Sequence, residues 1–147
     1  MKLSPIAFEQ MILDLMSKMG YGTFANASRT TPMTGDEGID GIIMQDKLGF
    51  DLIYIQAKQW KADRSVGRPE IQAFVGAIAG KSGKGLFITT SKFSKQALDY
   101  ASNQHIILID GDKLTNHMIE NNFGVSIKKT FEIKSVDMDI FNDYQDE

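Results

Sequence analysis

Asp40, Gln56 and Lys58 are the residues whose types and spacing suit chemistry. Asp40 lies in IDGIIMQ (39–45), which reads as a strand. Gln56 and Lys58 lie in LIYIQAKQW (52–60), a second strand rich in β-formers. Strand side chains alternate faces, so Gln56 and Lys58 point the same way. A hairpin in register would set Asp40 on that face too. A lysine flanked by Ile53, Ile55 and Ala57 needs an acceptor or solvent. A carboxylate, an amide oxygen and an ammonium meeting at a sheet end suit metal-assisted phosphodiester hydrolysis. Hard oxygen ligands hold Mg²⁺, which polarises a phosphoryl group. The lysine positions water and offsets charge developing in the transition state. Glu9, just off the apolar stripe of the first helix, is a further candidate ligand. Blander readings stand beside these. The trio equally suits the polar positions of an ordinary hairpin. Glu9 equally suits a surface acid that complements a helix dipole.

The elements that must position these residues follow from periodicity. Ser4-Pro5 is an N-cap followed by proline at the first helical position, and Leu3 and Phe8 sit at staple positions. Phe8, Met11, Ile12, Leu15, Met16 and Met19 recur at helical spacing before Gly20, which predicts a helix over 5–19. Residues 21–30 hold a candidate short strand, and TPMTGDEG (31–38) is a loop. A turn near 46–51 joins the two strands of the hairpin. Residues 61–68 form a polar, basic loop, and Pro69 opens a helix over 69–80. GLFITT (85–90) and IILID (106–110) read as short buried strands, each followed by a helix, at 94–103 and 112–121. SIKKTFEIK (126–134) alternates weakly and is a candidate edge strand. The order predicts a mixed α/β sheet with helices on both faces.

Composition narrows the function classes. With 147 residues the chain fits one domain. The absence of cysteine excludes disulfides, Cys-ligated zinc or iron–sulfur centres and a thiol nucleophile. His105 and His117 stand twelve positions apart and make a poor metal pair. No apolar run is long enough for a membrane span. AGKS (79–82) lacks the glycine a phosphate-binding loop needs at position 75, where Val75 stands, and it ends a helix, so no nucleotide cofactor is expected. Net charge is −3, yet residues 136–147 carry five acids and no base, reading as a frayed terminus. Between 58 and 95 eight basic residues face only Asp63 and Glu70. Local potential, not net charge, attracts a polyanion. Lys61, Arg64 and Arg68 in the loop, with Lys92, are the candidate phosphate contacts. A solvated basic face is the alternative.

The runs GDEGIDG (35–41), IYIQAKQW (53–60), VGRPEIQAFVGAI (66–78), GLFITTSKFS (85–94) and IILIDGDKL (106–114) resemble the catalytic domain of Mrr-type restriction endonucleases, of the PD-(D/E)xK nuclease superfamily. The resemblance spans about 4–135, with the motifs in the family's order. It implies a restriction-endonuclease-like αβββαβ core, with a mixed central sheet flanked by helices. It places the catalytic aspartate on Asp40 and a Q-x-K variant of the E-x-K motif on Gln56 and Lys58. The metal-binding acid of the first helix falls on Glu9, and a helix glutamine of less settled role on Gln72. The implied cofactor is Mg²⁺, with Mn²⁺ able to substitute. The implied substrate is double-stranded DNA, methylated, cut in the cytoplasm by a type IV enzyme that can act as a homodimer. An amide in place of a carboxylate implies weak metal affinity without DNA. The expected layout is a nuclease domain over 1–135 and an acidic tail over 136–147, without the family's N-terminal winged-helix reader. Two rivals share the core: a structure-selective nuclease such as a Holliday-junction resolvase, and an inactive nuclease-like DNA-binding module.

Overall fold

The computed structural model describes residues 2–23 and 38–144. In chain order the elements are α1 (Pro5–Lys18), β1 (Gly22–Thr23), β2 (Gly41–Met44), β3 (Leu52–Lys58), β4 (Ser65–Val66) and α2 (Arg68–Ile78). They continue with β5 (Lys84–Thr89), β6 (Lys92–Phe93), α3 (Lys95–Asn103), β7 (Ile106–Ile109), α4 (Gly111–Glu120) and α5 (Met138–Asn142). The candidate strand near 21–30 begins as β1; residues 24–37, which hold most of the expected loop at 31–38, lie outside the described residues.

Five strands form one mixed sheet in the order β1-β2-β3-β5-β7. The first three pair antiparallel, and β3, β5 and β7 pair parallel. The inner strand β5 is buried throughout except at its first residue, which is why it reads as a continuous apolar run with no alternation. Each face of the sheet carries its own core. Phe8, Ile12, Leu15 and Met16 of α1 and Leu114 of α4 pack on Ile43, Ile55 and Ile88. Ile71 and Phe74 of α2, with Ala97 and Ala101 of α3, pack on the opposite face around Tyr54 and Phe87. Phe74 and Phe87 meet edge to face at 5.7 Å between centroids, a favoured arrangement for aromatic quadrupoles.

The helix ends follow local chemistry. The Ser4 hydroxyl accepts from the Ala7 N–H at 3.2 Å, and Ser94 accepts from Ala97 at 3.1 Å. Three expectations change. The candidate edge strand at 126–134 does not form: the segment joins neither sheet, and its apolar side chains are exposed. The acidic terminus holds a short helix, α5, capped by Asp137. The basic loop contains β4, which pairs parallel with β6 as a separate two-stranded sheet. Two-residue strands are too short for any period to show in sequence.

Candidate active site

The antiparallel ladder of β2 and β3 ends at the Gly41–Ile55 pair, and the residue just beyond it is Asp40. Its N–H donates to the Ile55 carbonyl at 2.7 Å. Its Oδ2 accepts from the Ala57 N–H at 2.8 Å. The side chain thus takes a backbone donor that a continuing strand would have satisfied, and this fixes the carboxylate at the sheet end. Gly41 lets α1 approach: a Cβ there would lie 2.7 Å from Leu13 Cδ2. That close approach brings Glu9 over the end of the hairpin. Glu9, Asp40, Ala57 and Lys58 line one cavity of about 230 Å³, closed by Phe8 and Trp60.

Burial raises the Glu9 carboxyl above the ordinary range. The Asp40 charge adds to this, Lys58 opposes it, and a hydrogen bond with Asp40 favours the protonated form. Burial also raises Asp40, against the pull of the Ala57 N–H, Lys58 and the Glu9 hydrogen bond. Two carboxyls and one ammonium therefore share a partly desolvated pocket. With both acids ionised, one negative charge is left uncompensated. The donor set fits a hard divalent cation. Glu9 and Asp40 offer carboxylate oxygens, and Mg²⁺ commonly takes one or two carboxylates and completes its shell with water and phosphate. Among the described residues no cluster of three or more His, Cys, Asp or Glu could hold a metal.

The other candidates are placed as follows. Gln56 is buried at 7% exposure, and its Oε1 has no hydrogen-bond partner among the described residues. It is not among the residues lining the Glu9–Asp40–Lys58 cavity. Its amide lies near Gly38, where a Cβ would be 3.8 Å from Nε2. Gly38 has φ +103°, a conformation that favours glycine. Gln72 is exposed on α2 and is also absent from that lining. Sequence alternation groups Gln56 with Lys58. The fold instead groups Lys58 with Glu9 and Asp40, because Lys58 closes its strand where the cavity opens.

Part of the basic loop lies beside this cavity, since Lys61 follows Trp60 and Arg64 sits over its ring. Pairing of β4 with β6 puts Ser65 opposite Lys92, so the 61–68 loop and Lys92 share one surface. Arg64 stacks on Trp60 at 3.9 Å from the ring centroid, and Arg68 on Tyr100 at 4.8 Å. Both guanidinium groups are thereby held in place while their donors stay exposed. The Ser91 hydroxyl donates to the Arg64 carbonyl, tethering the loop. Lys61 lines a neighbouring groove of about 600 Å³ that shares Phe8, Gln59 and Trp60 with the smaller cavity. Thr90 was not legible as a site residue. Its hydroxyl donates to the Trp60 carbonyl at 2.7 Å and accepts the Trp60 backbone N–H at 2.9 Å, anchoring the main chain at Trp60. Only the fold brings these residues together across 30 positions of chain.

Comparison with known proteins places this arrangement. Two solved structures share the fold. They are the MspJI restriction endonuclease in complex with a 27-mer oligonucleotide and the DNA modification-dependent restriction endonuclease AspBHI. The first is 24% identical with a TM-score of 0.61, covering 81% of this chain and 29% of its own. The second is 20% identical with a TM-score of 0.62, covering 83% and 32%. The class is thus a restriction-endonuclease-like fold. Residues 1–118 match the Mrr_cat restriction endonuclease model, and the chain belongs to that family of deoxyribonuclease domains. It is 46% identical over 143 residues to the type IV methyl-directed restriction enzyme EcoKMrr of Escherichia coli K12. The match covers 96% of this chain and 46% of the relative, so the chain spans about half of that protein's length.

Proposed function

We propose that this domain hydrolyses phosphodiester bonds of double-stranded DNA with Mg²⁺, Mn²⁺ substituting, as the cutting part of a modification-dependent restriction system in the cytoplasm. The observation that carries the reading is the meeting of Glu9, Asp40 and Lys58 in one cavity. A divalent cation held by Glu9 and Asp40 would neutralise phosphodiester charge and ease formation of hydroxide. Lys58 orients the attacking water and stabilises charge growing on the phosphoryl oxygens. The Ala57 N–H holds Asp40 in one orientation throughout. Arg64, Arg68, Lys61 and Lys92 bind phosphates on either side of the cut, which gives affinity without sequence preference. Gln56 and Gln72 act by supporting groups nearer the cavity. Choice of methylated DNA rests on the likeness to a methyl-directed restriction enzyme and to a modification-dependent one. One centre cuts one strand, so duplex scission takes two copies or two successive nicks.

The test is nicking of supercoiled plasmid with Mg²⁺ or Mn²⁺. Lys58→Ala is expected to slow nicking by roughly 10²–10⁴-fold while duplex binding changes little. Equal nicking by both proteins would overturn the assignment.

A further inference from the structure

Beyond the cavity, two features that have no partner among the described residues fit one another. The first is the outer edge of β7, the last strand of the sheet. Ile107 on β7 is 62% exposed, and with Leu98 and His105 it lines a hollow of about 430 Å³ along that edge. An open strand edge with apolar side chains is a template for pairing. The second is the segment 125–134. Val125, Ile127, Phe131 and Ile133 fall, with Lys129 between them, on one face of an extended chain, and Ser126, Lys128, Thr130, Glu132 and Lys134 on the other. That is the pattern of a half-buried strand, yet Ile133 is 99% exposed. The segment's contacts are local: Lys129 over Phe131, and Lys134 with Glu132 at 3.3 Å.

Topology says whose edge the segment fills. The steps β3–α2–β5 and β5–α3–β7 move outward in one direction, with α2 and α3 on the same face. Successive crossovers of one hand produce that pattern, and about 98% of such connections are right-handed. α4 packs on the opposite face. A right-handed connection leaving β7 through α4 leads back toward β5, whose two edges are already paired with β3 and β7. Parallel addition to its own β7 would need the rare left hand. The chain also leaves α4 at the end of the sheet remote from Glu9, where Lys18 Nζ donates to the Asn122 carbonyl at 2.9 Å. The β7 edge of a second copy carries no such restriction. The segment lies outside the 118 residues of the family model, but the 143-residue match to the E. coli relative extends into it.

We infer that residues 125–134 of one copy add as a strand to the β7 edge of a second copy. This is independent of the nuclease reading. The chain has no cysteine, so single thiols report cleanly. Full-length Ile107→Cys is mixed with full-length Phe131→Cys and treated with a short bis-maleimide. The expected result is a crosslinked pair joining the two different variants, well above the yield from either alone. Light scattering of the unmodified protein is expected to give twice 16.4 kDa, and Phe131→Lys with Ile133→Lys to return it to the single-chain mass with unchanged circular dichroism. A single-chain mass for the unmodified protein would overturn the inference. So would crosslinking confined to a chain carrying both cysteines.

Discussion

Glu9 and Asp40 hold their protons more tightly in the fold than in the unfolded chain. Between the ordinary carboxylate range and the raised values, the folded protein binds more protons than the unfolded one. Metal-free stability therefore falls as pH rises through that window and is regained on acidification. Glu9→Gln removes one of the two ionisations. We expect it to raise the metal-free stability near about pH 7 by roughly 1 kcal/mol or less after solvent screening, read as a rise in Tm, with the gain vanishing near about pH 4. A constant gain at both values, by scanning calorimetry, would contradict the cause given. Gln56 presents the opposite trade. Among the described residues its buried Oε1 has no partner, and an unsatisfied buried group costs roughly 1–3 kcal/mol. Gln56→Met should hold or raise Tm. If the amide supports the site, the same variant should nick plasmid more slowly, and unchanged nicking would remove Gln56 from the machinery. Asp40 and Lys58 were legible because strand alternation and motif spacing both concern near neighbours. That Gln56 stands outside the cavity was not, because it depends on where β2 stops pairing.

At the scale of elements, the helices α1 to α4 and the long strands were readable to within two or three residues. Their signals are local: the Ser4 and Ser94 caps, Pro5 and Pro69, and the apolar stripes of α1 and α2. The pairing of β4 with β6 was not readable, since it joins Ser65 to Lys92 through two-residue strands. It is nevertheless what assembles the basic surface. The strand expected at 126–134 did have the right alternation, but alternation specifies a face and not a partner. Arg64→Ala and Arg68→Ala are predicted to weaken duplex binding about equally across sequences. Each should reduce the slope of log affinity against log salt by about 1. Fluorescence anisotropy over a salt series measures this, and unchanged slopes would show that the stacked guanidinium groups contact no phosphate.

At the scale of the whole molecule, an acidic chain carries a cationic face. Its net charge of −3 hides the basic surface because acids gather in the C-terminal residues. The mixed sheet supplies a rigid end, α1 brings a second carboxylate over it, and the β4–β6 pair flanks it with arginines. No described helix is long and apolar enough to cross a membrane. The central claim is that carboxylates from a helix and a sheet end share one divalent ion with Lys58 beside it. Anomalous diffraction from a crystal of the domain with Mn²⁺ and a DNA duplex tests it most directly. A peak is expected between the Glu9 and Asp40 carboxylates, with the Lys58 ammonium facing the phosphate. A saturated crystal with DNA bound and the peak elsewhere would contradict it.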